Sequence, residues 1–133
     1  MKILIIGGGG VIGQKLARKL AERGHLRGQD ISHMTLADVV DPASVQAGFP
    51  VEVTRVDISD RVAVDQLISE HFDVIYLLAA IVSAHAEEDF DAGMNINLFG
   101  SYHVYEAVRQ SGRKPVIVFS SSYYITVPLA YIS

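Results

Sequence analysis

KILIIGGGGVIGQ, residues 2–14, decides the reading of this chain. KILII is a short apolar run of the length expected of a buried strand. Four glycines follow it directly, Gly7 to Gly10, and then a stretch with helical spacing. From Val11 to Arg23 the apolar residues Ile12, Leu16 and Leu20 recur every four positions, while Lys15, Arg18, Lys19 and Arg23 fall elsewhere. Gly24 is the expected stop. The glycines admit two registers at once. Gly8, Gly10 and Gly13 spell G-x-G-x-x-G, whereas Gly7, Gly10 and Gly13 spell G-x-x-G-x-x-G. Strand, glycine turn and amphipathic helix in this order make a phosphate cradle. The turn needs positive φ, the phosphates need a backbone without side chains, and the helix N-terminus offers free N–H groups. A tight turn without a ligand is the alternative. A P-loop is excluded, because no Gly-Lys-Ser/Thr follows.

Outward from this stretch the pattern alternates. HMTLAD (33–38), VEVTRVD (51–57), DVIYLLAA (73–80) and KPVIVFSSS (114–122) read as further strands. SDRVAVDQLISEH (59–71) reads as a helix capped by Ser59 or Asp60, and residues 87–112 as a long helix closed by Gly112. Such alternation predicts an α/β fold, a doubly wound parallel (Rossmann) sheet of about five strands in a single domain over residues 1–133. Ligands in such sheets bind beyond the carboxyl ends of the strands. That rule selects Gly7–Gly13, Asp38, Asp57, Ala79–Ser83 and Ser120–Ser122.

Composition narrows the function classes. The chain has 133 residues, 11 basic and 15 acidic, for a net charge of −4. With no basic field, neither nucleic acid nor a membrane surface is an expected partner. There is no cysteine, hence no disulfide framework and no thiolate chemistry. No apolar run approaches membrane-spanning length, and a cytoplasmic location is the expectation. The cluster His85–Asp89 has metal-capable side chains but no second cluster to complete a site, so no metal is expected.

Asp38 ends the second strand, 25 residues after Gly13. An acidic residue there accepts hydrogen bonds from the adenosine ribose hydroxyls and repels a 2′-phosphate. The next residues, Val39, Val40 and Asp41, offer no cation, so the expected cofactor is NAD rather than NADP. A surface or helix-capping Asp is the alternative. The spacing exceeds the usual twenty or so, and GHLRGQDISH (24–33) reads as the extra loop.

Taken together, IIGGGGVIGQ, LADVVDP, RVDISD, LLAAIVS, DFDAGMNINLFGS and VIVFSSS resemble the extended short-chain dehydrogenase/reductases, the NAD-dependent epimerase/dehydratase family. Within it, LADVVDP and LAAIVSAHAEEDFDAGMNINLFG look most like the D-erythronate dehydrogenase-like subgroup. The resemblance covers residues 1–122 and implies hydride transfer to NAD from a hydroxy-acid or sugar-like substrate. It implies the Gly7, Gly10, Gly13 register, with Val11 and Ile12 between. It implies that Asp57 and Ile58 lie beside the adenine, although a turn or capping Asp fits position 57 equally well on local grounds. Leu78, Ala79 and Ala80 would let the cofactor lie against the fourth strand's end. Asn97 would serve as a buried hydrogen-bonding residue in the long helix, Ser83 as a substrate contact, and Ser122 as the catalytic serine that hydrogen-bonds the reacting oxygen. Close packing at 79–80, a solvated Asn97 and local backbone bonding by Ser122 are the plain alternatives.

The resemblance breaks at one place. The family's tyrosine acid/base and its lysine partner form a Y-x-x-x-K motif, and none occurs in residues 1–133. The tail YYITVPLAYIS (123–133) also departs from the family pattern. A truncated reading frame and a fragment both account for this. The expectation is a chain that binds dinucleotide, turns over little by itself and self-associates through the apolar tail. A non-catalytic NAD-binding module and a remnant that binds nothing well are the other readings.

Overall fold

Alternation along KILII places its side chains on two opposite faces, and both faces are covered. In the computed structural model, which describes residues 1–78 and 101–119, Ile3 and Ile5 enter one core cluster and Leu4 and Ile6 the other. These residues form strand β1 (Lys2–Ile6). Helix α1 (Val11–Arg23) covers the first face with Leu16, Ala17 and Leu20. Helices α2 (Arg61–Ile68) and α3 (Ser101–Ser111) cover the second, with Val64, Leu67, Ile68, Val104, Ala107 and Val108.

The remaining strands are β2 (His25–Leu26), β3 (Gln29–Asp30), β4 (His33–Asp38), β5 (Val51–Arg55), β6 (Val74–Leu77) and β7 (Val116–Phe119). The main sheet runs β5-β4-β1-β6-β7, and every pair in it is parallel. The order is that of a doubly wound α/β sheet. From β1 the chain steps outward to β4 and β5, then returns to β6 on the other side of β1. That reversal opens a crevice at the carboxyl ends of β1 and β6. Strand β6 is buried along its whole length, with Tyr76 fully covered, and burial pushes the Tyr76 phenol up to about 12.

Helix ends follow local chemistry. Gly24 adopts φ +73° and donates its N–H to Leu20 O, ending α1. Asp60, rather than Ser59, caps α2: its carboxylate accepts the N–H groups of Val62 and Ala63. Two expected boundaries move. Strand β5 stops at Arg55 rather than Asp57, because the Asp57 carboxylate turns back to accept both the N–H and the hydroxyl of Ser59. The stretch 24–33, expected as a loop, folds into a small hairpin, with β2 antiparallel to β3 around Arg27 and Gly28. Both turn residues have positive φ, 53° and 80°, as a two-residue hairpin turn of the primed type requires. This hairpin accounts for the long interval between Gly13 and Asp38. Residues 39–50 carry no helix or strand. For the long helix expected over 87–112, residues 101–111 are helical and Gly112 follows at φ +72°; residues 87–100 lie outside the described part.

Candidate functional site

The carboxyl end of β1 runs straight into the glycine loop, and each glycine has a different reason to be there. Gly7 turns the chain with φ +94°, and its N–H and that of Gly8 both donate to Ala37 O at 2.8 and 3.0 Å. Gly8 passes so close to β4 that a Cβ would lie 2.9 Å from Leu36 Cβ. Gly13 packs α1 down on the loop: a Cβ there would overlap the Gly7 carbonyl oxygen and sit 2.9 Å from Gly8 Cα. Gly7 supplies the turn, Gly8 the close approach to the neighbouring strand, and Gly13 the seat of the helix.

Gly10 is the exception. Its backbone is extended (φ −76°, ψ 172°), and a Cβ would meet only Gly7 O, at an ordinary 3.5 Å. Nothing within the described chain requires glycine there. Gly10 is the residue before α1, and it brings no side-chain cap. The first-turn N–H groups of Val11, Ile12 and Gly13 have no acceptor among the described residues, and no acidic side chain stands in that turn. An uncapped helix start with three free donors, entered by a residue without a side chain, is suited to an anion. Val11 is 73% exposed at its lip.

Asp38 closes the other side. Gly9 N–H donates to Asp38 Oδ2 at 2.9 Å, and Val39 N–H donates to Oδ1 at 2.7 Å. A carboxylate offers about four acceptor positions, so roughly two stay open for hydroxyl donors. Val39 and Val40 follow with exposed apolar side chains, and no Lys or Arg occurs between Asp38 and Arg55. Arg55 turns its Nε to Val39 O at 3.0 Å. Anion donors, a glycine without a steric duty and a carboxylate beside them fit a dinucleotide.

The other expected residues divide. Leu78 donates its N–H to Ile6 O at 2.8 Å and so stands beside the root of the glycine loop. Asp57 is a turn residue as described, with Oδ1 engaged by Ser59. Ile58 is buried and packs in the core, so only its main chain is at hand for a ligand. Ile12 is half-buried behind Val11. Ala79, Ala80, Ser83, Asn97, Ser122, the His85–Asp89 run and the tail 123–133 lie outside the described residues.

Two side chains that sequence reasoning passed over tie this region together. The Gln14 amide donates to Gly8 O at 2.7 Å and to Ala43 O at 2.9 Å. His103 of α3 pairs through Nδ1 with Ile58 O at 3.0 Å, holding the turn after β5 against α3. A polar residue directly after the last motif glycine was the available signal for Gln14. His103 has no local signature, since its partner is a backbone carbonyl 45 positions away.

Comparison with known proteins agrees with this geometry. The family described as "NAD dependent epimerase/dehydratase family" matches residues 3–126. A D-erythronate dehydrogenase of Cupriavidus necator is 40% identical over 126 residues, which is 92% of this chain and 39% of that protein. A uronate dehydrogenase of Pseudomonas putida is 34% identical over 125 residues, 93% of this chain and 42% of that protein. The crystal structure of a nucleoside-diphosphate-sugar epimerase from Agrobacterium tumefaciens superposes with a TM-score of 0.85 at 40% identity, covering 91% of this chain and 37% of that one. The chain therefore spans about two-fifths of the length of the relatives it matches. Among the described residues, no helix is long and apolar enough to cross a membrane.

Proposed function

Because the chain belongs to the NAD-dependent epimerase/dehydratase family, we propose that residues 1–133 form the cofactor-holding part of a sugar-acid dehydrogenase, with NAD preferred over NADP. The observation that carries this reading is the start of α1: behind Gly10, three N–H groups without an acceptor among the described residues, with the Asp38 carboxylate facing the same loop. The Val11, Ile12 and Gly13 amides take the pyrophosphate. The open acceptor positions of Asp38 take the adenosine ribose hydroxyls, and its charge disfavours a 2′-phosphate. Asp57 and the Ile58 main chain flank the adenine, while Leu78, Ala79 and Ala80 contact the cofactor. When bound, NAD supplies the hydride acceptor. Ser122 orients the substrate oxygen, Ser83 contacts substrate, and Asn97 serves as a hydrogen-bonding residue of the cofactor site.

Names of relatives support a hydroxy-acid substrate, D-erythronate or a uronate. Proton transfer in this reading needs a base outside the motifs present, since no Y-x-x-x-K occurs in residues 1–133. Losing a positioned acid/base costs about 10²–10⁴ in rate. We therefore expect the chain by itself to bind NAD and to turn over little. Titration with NADH and NADPH tests the cofactor half: tighter NADH binding is expected, and equal affinities count against the role given to Asp38. NADH production from D-erythronate or uronates at a rate typical of dehydrogenases sinks the claim of low turnover.

A further inference from the structure

We infer that Gln14 is a positioning residue that sets the orientation of Asp38 through the peptide joining Gly8 and Gly9. The inference rests on the dinucleotide reading given above and extends it to a residue outside the glycine motif.

The observation is a relay of three groups. The Gln14 side-chain amide donates to the carbonyl of Gly8 at 2.7 Å. The N–H at the other end of that same peptide, Gly9, donates to Asp38 Oδ2 at 2.9 Å. One peptide plane is thus pinned at both ends, by Gln14 on its oxygen and by Asp38 on its nitrogen. A peptide between two glycines has little steric resistance to rotation. Rotated, it would present a carbonyl oxygen to the Asp38 carboxylate, which repels it, and the carboxylate would lose the partner that orients it.

Gln14 has a second hold. The other proton of its amide goes to Ala43 O at 2.9 Å, in the irregular stretch 39–50 that follows Asp38. Around Ala43 this stretch stands off α1 across an open groove of about 450 Å³ lined by Gln14, Arg18, Glu22 and residues 43–46. Val45 and Phe49 anchor the stretch further along by packing on the core. Gln14 thus gives Ala43 a hydrogen bond to α1, next to buried Pro42. Both protons of one amide are spent on carbonyls on the two sides of Asp38, and neither bond serves the hydrophobic core.

The test is a double-mutant cycle read in two ways. Gln14→Met keeps the length of the side chain and removes both donors; Gln14→Glu is a second variant of the same size. Dissociation constants for NADH and NADPH are measured on the 133-residue chain, alone and in an Asp38→Asn background, together with hydrogen exchange of the Gly9 amide by NMR. Gln14→Met is expected to weaken NADH binding about tenfold, the scale of losing one or two neutral hydrogen bonds, and to narrow the preference for NADH over NADPH. Gly9 exchange is expected to speed up. In the Asp38→Asn background the same substitution is expected to narrow the preference no further, because the charge whose placement the relay sets is already removed. Equal weakening of both nucleotides with Gly9 exchange unchanged would assign Gln14 a merely structural role and overturn the inference. Unchanged affinity in both variants would overturn it too. If the wild-type chain binds no NADH, the cofactor reading fails separately, and Gly9 exchange alone decides whether Gln14 locks the peptide.

Discussion

Gly10→Ala separates a glycine kept for a ligand from a glycine kept for the fold. The backbone at Gly10 is extended, a conformation alanine adopts freely, and an added Cβ meets only Gly7 O at 3.5 Å. Reduced entropy of the unfolded chain favours alanine by about 0.4–1 kcal/mol, and the poorer N-cap opposes it by a similar amount. Stability is therefore expected to stay within about 1 kcal/mol of wild type in urea unfolding. The new methyl group, however, stands at the N-cap of α1, next to three N–H groups without an acceptor among the described residues. Forcing a phosphate past a misplaced methyl costs about 1–3 kcal/mol, which is roughly 5- to 150-fold in the NADH dissociation constant. Gly13→Ala gives the opposite signature. Its Cβ overlaps the Gly7 carbonyl oxygen, so α1 must lift from the loop by about 1 Å and stability itself falls by about 1–3 kcal/mol. Fluorescence titration with NADH and urea denaturation of both variants provide the assay. A Gly10→Ala chain that binds NADH as tightly as wild type refutes the reasoning, and so does one that fails to fold.

Three further expectations follow from particular residues. Asp38→Asn keeps the shape that receives Gly9 N–H but removes the charge, so the ratio of NADPH to NADH dissociation constants should fall at least about tenfold; an unchanged ratio in paired titrations places the preference elsewhere. Asp60→Ala removes the cap of α2, costing about 1 kcal/mol, or roughly 3–5 °C in thermal midpoint, while Asp60→Asn restores most of it; no shift in a melting curve would mean that the two cap bonds contribute nothing. Tyr76 bears on alkaline stability. Its phenol is raised to about 12 by burial, so above pH 10 the unfolded chain sheds a proton that the folded chain keeps. Its contribution is full below pH 10 and is lost as pH rises towards 12, about 2–3 kcal/mol in all. Urea unfolding at pH 9 and 11 should show this fall in wild type and a shallower one in Tyr76→Phe; equal slopes would count against it.

Much of the fold was legible because its signals are local. The short apolar run KILII, the four-residue apolar spacing after Val11 and the glycine at position 24 each report one element, and HMTLAD coincides with β4 residue for residue. The hairpin at 25–30 was not legible, because strands of two residues carry no periodicity and its turn uses Arg27 at positive φ. The end of β5 was overrun because Asp57 reads as the close of a strand until its carboxylate is seen to bond Ser59. At the site, Gly13 and Asp38 were legible from spacing. The separate duties of Gly7, Gly8 and Gly10 were not, since they depend on how near Leu36 and Gly7 O come in space. Gln14 was hidden for a similar reason: its partners are two backbone carbonyls, one of them 29 positions away.

The account's central claim is that the start of α1 and the end of β4 together hold a dinucleotide. NADH titrated into isotope-labelled chain, followed by amide NMR, tests it most directly. Saturable shifts at Val11, Ile12, Gly13, Asp38 and Val39 are predicted, with the amides of Lys2, Asp73 and Arg113 at the opposite end of the sheet left unmoved. Shifts confined to that opposite end, or no saturable shift with NADH at about 1 mM, the level that corresponds to some −4 kcal/mol of binding, would contradict it.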